Sequence, residues 1–218
     1  RRLDAWSPNR YIPVSANALL TRLEPNHNLC GVDVLDFFVG ESSQNADQQT
    51  AVEYVFAAKV AEACGLSQVV SPIPRSTART RAALATTYAL GQTHLVPWDL
   101  YMGSDATGIQ PRYFGTREQY GDLYDFIHDQ AGLLDDYESA AEIAVLANAD
   151  APGKESLAQF CQRLAAQQLP FHLVLGASRS ARVPVRAADL QAVRLVVEFS
   201  PRERSEEHTS ELQSPVVI

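Results

Sequence analysis

Short apolar segments alternate with helical patterns through about the first 140 residues of this chain. Four segments are rich in β-branched or aromatic residues and are predicted to be strands: YIPVSANAL (11–19), VDVLDFFVG (32–40), SQVVSPI (67–73) and THLVPWDLY (93–101). Repetition of strand, helix and strand implies parallel pairing through right-handed crossovers. The sequence therefore predicts an α/β fold, either a barrel of parallel strands or a doubly wound sheet.

Three helices are predicted in the same part of the chain. The first begins near Asp47, ends at Gly65 and has an apolar face formed by Val52, Val55, Phe56, Val60 and Ala63. The second, TARTRAALATTYALG (77–91), turns Leu84 and Tyr88 inward. The third opens with Thr116-x-x-Gln119, the spacing of a capping box, ahead of Tyr120, Leu123, Tyr124 and Ile127.

The pattern restarts near Ser139 with a strand, a loop, a helix and a strand. In that helix four residues are predicted to face inward: Leu157, Phe160, Cys161 and Leu164. A further strand follows in ADLQAVRLVVEF, so a small Rossmann-like unit is expected. Its first loop, LANADAPGK, lacks both the Walker spacing and the three-glycine dinucleotide fingerprint, which favours an ordinary βα loop over a phosphate site.

Composition and charge exclude several classes of function. The formal net charge of -8, with no basic cluster, argues against nucleic acid as a partner. No run approaches the roughly 18 apolar residues that span a bilayer, so no membrane partner is predicted. The first residues lack the apolar core of a signal peptide and resemble the middle of a domain, so a true start could lie upstream and the localisation is left open.

Cysteines and histidines give no sign of a metal site. The three cysteines, Cys30, Cys64 and Cys161, lie far apart in apolar surroundings and are predicted to be buried free thiols. The five histidines show neither H-x-H nor H-E-x-x-H spacing, and His94, at the start of a strand, is expected to be structural. Neither a metal nor another cofactor is predicted.

Polar or aromatic residues stand at the carboxyl ends of the four predicted strands: Ser15 and Asn17, Glu41, Ser71, and Trp98 with Asp99. In a barrel of parallel strands that edge carries the active site. The alternative is that Asn17 and Asp99 only cap the turns that follow them. Glu41 follows the apolar run DFFVG, which is expected to desolvate its carboxylate partly and to raise its pKa. We therefore expect a polar site at this edge, with Glu41 in it.

Several of these segments resemble a known family. The order IPVSANAL, VDVLDFFVGE, VVSPIPRS, ALATTYALGQTHLVPWDLY and RYFGTREQYGDLYDFIHDQAGLLDDYE resembles strands five to eight of the TIM barrel in β-galactosidase-like glycoside hydrolases, near family forty-two and its uncharacterised relatives. The helix from Tyr120 to Glu138 is similar to the family pattern YxxLYxFVxxxxxLFDxYE. The resemblance covers almost all of residues 10 to 200.

The resemblance implies a fold and a division into domains. Residues 1–138 would be the C-terminal half of a (β/α)8 barrel, and residues 139–203 part of a Rossmann-like domain that resembles class I glutamine amidotransferases and serves in trimer formation. The parent protein would then be a homotrimer. Residues 204–218 contain RSEEHTSELQS, which resembles the translation of a sequencing-adapter oligonucleotide, so this tail is expected to be non-native.

The family mechanism implied is retaining hydrolysis by two carboxylates. The acid/base would lie on strand four, upstream of this chain, and the nucleophile on strand seven, at Ser71 or Pro72, where the family pattern has Glu. A serine cannot form the glycosyl ester. Glu41, at the end of the neighbouring strand, is the replacement that we expect, as nucleophile or as hydrogen-bonding partner of a sugar hydroxyl.

The expected partner is a carbohydrate substrate. Trp98 would offer an apolar face to a pyranose ring, or would instead pack into the end of the barrel. Asp99, Asn17 and Ser71 would contact hydroxyls, and Tyr101 would line the mouth. Besides a hydrolase, two alternatives stay open: a non-catalytic carbohydrate-binding or scaffolding protein on a degenerate barrel, and an amidotransferase, which the lack of a cysteine in ANADAPGK disfavours.

Overall fold

The computed structural model describes residues 13–18, 29, 31–41, 51–71, 77–94, 116–135, 139–148, 154–176, 183, 190, 192–199 and 216–217. The elements in these residues are, in chain order, β1 (Ser15–Asn17), a 3-10 turn (Val32–Val34), β2 (Phe37–Glu41), α1 (Ala51–Ala63), β3 (Ser67–Ser71), α2 (Thr77–Ala89), β4 (Thr93–His94), α3 (Arg117–Asp129), α4 (Ala131–Leu134), β5 (Ile143–Asn148), α5 (Lys154–Ala166), β6 (Phe171–Gly176), β7 (Leu195–Phe199) and β8 (Val216–Val217).

The first sheet has the order β1-β2-β3-β4, and every pairing in it is parallel. Helices α1 and α2 connect β2 to β3 and β3 to β4. This confirms the predicted α/β class with parallel pairing. One strand prediction was wrong at its start: the segment at 32–34 is a 3-10 turn, because Gly31 has a φ of 75° and turns the chain before β2 begins at Phe37.

The two faces of the first sheet differ in burial. Phe38, Val70 and His94 lie on one face and are almost fully buried. Helices cover that face, since Val70 packs against Tyr54 of α1 and Ala83 of α2. On the opposite face three residues are exposed, Ser15, Asn17 and Thr93, and three are half-buried, Phe37, Val39 and Val69. Within the described residues, then, helices cover one face only.

The second sheet has the order β6-β5-β7-β8. Strands β6, β5 and β7 are parallel, and α5 crosses from β5 to β6, as the predicted strand-helix-strand unit requires. Of the α5 residues predicted to face inward, Leu157 and Cys161 are buried, and Phe160 and Leu164 pack partly against them. The short strand β8 lies in the predicted tail and pairs antiparallel with β7.

Helix α1 lies between the two sheets. Phe56 and Val60 of α1 belong to one core cluster with Phe38 of the first sheet and with Val145 and Cys161 of the second unit. The sequence predicts a single apolar face for α1. The buried surface of the helix is wider than that face. Tyr54, Ala57, Ala58 and Ala61 are buried as well, because α1 has neighbours on opposite sides.

Two further predictions are confirmed within the described residues: the capping box of α3 and the buried free thiols of Cys64 and Cys161. The capping box of α3 is confirmed, since Gln119 Oε1 accepts a hydrogen bond of 3.0 Å from the Thr116 backbone N–H. Cys64 and Cys161 are buried free thiols, as predicted, and burial raises the pKa of each to about 12. Cys30 lies outside the described residues. No helix in the described part of the chain is long and apolar enough to cross a membrane.

Candidate functional site

Three predicted site positions meet at one edge of the first sheet. Glu41 and Ser71 end β2 and β3 and are register partners. Asn17 ends β1, is exposed, and pairs with Val39, two residues before Glu41. The parallel register therefore brings positions 17, 41 and 71 to the carboxyl edge of three adjacent strands. The raised pKa expected for Glu41 stays a prediction.

The other predicted site residues follow β4 in the chain. Trp98, Asp99 and Tyr101 lie outside the described residues, so the roles expected for them stay predictions. Strand β4 itself is the neighbour of β3, with Val70 opposite His94. Strand β4 therefore lies next to the strand that ends at Ser71.

A buried pair of amides lies on the helix-covered face beside this edge. Gln92 Nε2 donates a hydrogen bond of 2.9 Å to Gln68 Oε1, and the two side chains are 4% and 3% exposed. The Gln68 amide lies over Gly40, where an added Cβ would collide with Gln68 Nε2 and would come within 3.2 Å of the Ala18 carbonyl oxygen. Because Gly40 has no side chain, the Gln68 amide can lie against the end of β2.

Sequence reasoning missed Gln68 and Gln92. A signal was present in the sequence, because each is a large polar residue beside an apolar strand, in LSQVVS and GQTHLV. Buried polar side chains are normally hydrogen-bonded, which would have suggested that the two glutamines are partners.

His94 is 3% exposed and lies under α2. Thr87 Oγ1 is 3.1 Å from His94 Nδ1, and it is also 2.9 Å and 3.0 Å from the carbonyl oxygens of Ala83 and Leu84. Those carbonyls can only accept, so the Thr87 hydroxyl proton points to them and its lone pair faces Nδ1. His94 Nδ1 therefore carries the ring proton.

Burial lowers the pKa of His94 to about 4, so the ring is neutral at pH 7. Its Nε2 and the Oε1 of Gln92 have no hydrogen-bond partner within the described part of the chain. A neutral, buried imidazole held by a helix hydroxyl agrees with the structural role that the sequence predicts for His94.

Helix α3 is fixed to α2 by a fork of two hydrogen bonds. Arg81 Nη1 and Nη2 each donate to a carboxylate oxygen of Asp122 at 2.6 Å, and Nη1 also donates to the Gln119 carbonyl at 2.8 Å. The hydrogen bonds from Arg81 lower the pKa of Asp122. A second tie joins Gln119 Nε2 to Thr77 Oγ1 at 3.2 Å. Two parallel hydrogen bonds between one guanidinium and one carboxylate fix the orientation of the two side chains as well as the distance between them.

Helix α3 also reaches β4. The Tyr124 hydroxyl donates a hydrogen bond of 2.5 Å to the His94 carbonyl oxygen. The sequence places Tyr124 in this helix but gives no sign of its partner, which lies 30 residues away. His94 is therefore bound twice, through its ring to α2 and through its carbonyl to α3.

A second group of charged side chains lies between α1 and β6. Lys59 Nζ is 2.7 Å from Glu62 Oε2, and Glu62 Oε1 is 3.3 Å from His172 Nδ1. Lys59 Nζ also stands 5.8 Å from the centre of the Phe171 ring. The described residues contain no group of three or more histidine, cysteine, aspartate or glutamate side chains that could hold a metal ion. The contacts of this group join α1 to β6.

Comparison with models of protein families, with curated proteins and with solved structures finds no match to this chain. The arrangement of the first sheet and the residue types at its carboxyl edge are the features that bear on function.

Proposed function

We propose that this chain belongs to a glycoside hydrolase that acts on a β-linked sugar, and that its first sheet is half of a (β/α)8 barrel. Four parallel strands in sequential order, with helices on one face, support this proposal. In a barrel the opposite face lines the interior, and here that face carries Asn17, Val39 and Thr93. By the same family resemblance, the second sheet belongs to a Rossmann-like unit that serves in trimer formation.

The observation that carries the proposal is the register pairing of Glu41 with Ser71 beside Asn17. A retaining glycosidase needs two carboxylates, about 5–5.5 Å apart, at the carboxyl edge of its barrel. Glu41 supplies one of them, as the nucleophile, and the acid/base comes from a strand outside these 218 residues. Ser71 and Asn17 bind sugar hydroxyls, and Asp99 and Tyr101 extend the same subsite.

The pyranose ring itself needs an apolar surface. Trp98 supplies that surface, since an aromatic face packs well against the C–H groups of a sugar. The predicted ligand is therefore a β-linked pyranoside bound between Trp98 and the edge formed by positions 17, 41 and 71. No cofactor enters the proposed reaction.

The test is Glu41→Gln in a protein that carries this chain together with the upstream strands of the barrel. Aryl β-galactosides are the substrates, and release of the aryl alcohol is the measurement. We expect the variant to lose turnover and to keep its circular dichroism spectrum. Asp33→Asn, which changes an exposed carboxylate in the turn before β2, is the control and should keep turnover. Wild-type turnover in Glu41→Gln would exclude Glu41 as the nucleophile.

A non-catalytic carbohydrate-binding protein is the second candidate, because position 71 holds serine where the family pattern has the nucleophilic glutamate. This candidate predicts binding of methyl β-galactoside, measured by calorimetry, without release of free sugar from any β-galactoside. Release of free sugar by the purified protein would refute it.

A further inference from the structure

Strand β7 of the second sheet is fully paired on one side and only partly paired on the other. On one side all five of its residues, Leu195–Phe199, pair parallel with β5. On the other side β8 pairs antiparallel with Val197 and Glu198 alone. Within the described residues, positions 195, 196 and 199 therefore have no strand opposite them at this outer edge. A partly paired edge of this kind can take another strand.

Strand β8 shows which kind of strand this edge accepts. It consists of Val216 and Val217, in the tail that the sequence predicts to be non-native, and it runs antiparallel to β7. Strand addition of this type depends mainly on hydrogen bonds between backbone groups, so it does not require one particular sequence in the added strand. The edge thus accepts an antiparallel strand on the strength of its backbone.

A second copy of β7 matches this edge better than β8 does. When two copies of β7 lie antiparallel, the register centred on Val197 pairs all five residues of each strand. In that register Leu195 lies opposite Phe199 of the second copy, and Val196 lies opposite Glu198 of the second copy. The two Glu198 carboxylates are then not opposite each other, which avoids a like-charge pair that would destabilise the sheet.

We propose that the outer edge of β7 is a self-association interface, which β8 covers in the single chain and which β7 of a second copy occupies, antiparallel, when β8 leaves. The pairing has two-fold symmetry and uses the one outer edge of each β7, so it stops at two copies. Leu195, Val197 and Phe199 share a face of the strand, and the Phe199 ring lies 5.6 Å from the ring of Phe160 in α5. The helix-covered face of the sheet would therefore continue from one copy into the other. This inference does not depend on the proposed function.

The first experiment measures the dimer dissociation constant of the full chain by sedimentation equilibrium. Val216→Pro combined with Val217→Pro removes the backbone N–H groups of β8 and so releases the outer edge of β7. We expect this double variant to dimerise about fivefold or more tightly than the unchanged chain, the factor that corresponds to one lost hydrogen bond of β8. A double variant that associates no more tightly than the unchanged chain would overturn the proposal.

Charged residues at position 196 test the register in the same double variant. Val196→Lys sets an ammonium group opposite Glu198 of the second copy, whereas Val196→Glu sets a carboxylate there. Each dimer contains two such pairs, so we expect the dissociation constant of Val196→Glu to exceed that of Val196→Lys by about fourfold or more.

Val34→Lys and Val34→Glu are the controls for this comparison. They make the same changes of net charge at a half-exposed position in the turn before β2, away from the edge of β7. The two control variants should have nearly equal dissociation constants. If the pair at position 34 differs by the same factor as the pair at position 196, net charge governs the association and the β7 interface is excluded.

A cross-link tests the same register without a charge in β7. The two copies of Val197 face each other across the symmetry axis, with Cβ atoms about 4.5–5.5 Å apart, close to the separation that a disulfide spans. Val197→Cys in the double variant should therefore give a disulfide-linked dimer under mild oxidation. Glu198→Cys lies off the axis and should give much less, and the double variant itself is the blank for the three native cysteines. Equal cross-linking at positions 197 and 198 would contradict this register and the interface built on it.

Discussion

Gly40 stands one residue before the carboxylate position on β2, and the absence of its side chain makes room for the Gln68 amide. Gly40→Ala would put a methyl group into that amide and so would strain the Gln68–Gln92 pair. Overpacking of this kind costs typically about 1–3 kcal/mol. We expect the free energy of unfolding, measured in urea, to fall by that amount.

Gly132→Ala is the control for the Gly40 prediction. An added Cβ at Gly132, in α4, meets no atom within 4 Å, so this variant should be neutral or gain a few tenths of a kcal/mol. Equal stability of the two variants would show that the Gln68 amide moves aside without cost.

His94 makes the stability of the protein depend on pH. Burial lowers its pKa from 6.5 to about 4 in the folded chain, so the unfolded chain binds more protons between these values. Stability is therefore complete above about pH 6.5 and falls as the pH approaches 4, by roughly 3 kcal/mol in all. Urea unfolding at pH 7 and at pH 4.5 measures the loss.

His94→Gln removes the titrating group and should flatten this pH dependence, although it lowers stability at pH 7. The same substitution at exposed His128 is the control for the loss of an imidazole. It should leave the change of the free energy of unfolding with pH as it is in the unmodified protein. An unchanged slope in His94→Gln would assign the acid sensitivity to other groups.

The elements were largely predictable from hydrophobic periodicity, but their ends were not. Strand β1 occupies only Ser15–Asn17 of the segment predicted at 11–19, and β2 starts at Phe37 instead of Val32. Apolar patterns mark where a strand can be buried, whereas its length depends on which backbone groups find partners in the neighbouring strand. Local chemistry predicted the capping box of α3 correctly, because both of its partners lie within one helical turn.

The adjacency of the strand ends at the candidate site was predictable, whereas the contacts of the side chains around it were not. Because carboxyl ends of parallel strands share an edge, the sequence alone suggested that positions 17, 41 and 71 are neighbours, and the register agrees. Gln68, Gln92 and Tyr124 were missed as partners because their contacts depend on how distant elements pack. Spacing along the chain carries no information about that packing.

Among the described residues the largest buried cluster passes through α1 from the first sheet to the second unit. The predicted boundary between residues 138 and 139 stays a prediction, but a boundary in the chain does not make two independent cores. Lys59, Glu62 and His172 add polar contacts at the same junction. We therefore expect the two sheets to unfold together, in one cooperative transition.

Val60→Ala tests this expectation, because Val60 is fully buried in α1 and shares a cluster with residues of both units. Removing two methyl groups there should cost about 2 kcal/mol. If the core is shared, hydrogen exchange of the slowest amides in β2 and in β5 will accelerate by the same factor, since both report the same global unfolding. Val34→Ala, at a half-exposed position, should change neither. Acceleration in β2 with unchanged protection in β5 would mean that the second unit holds its fold without α1.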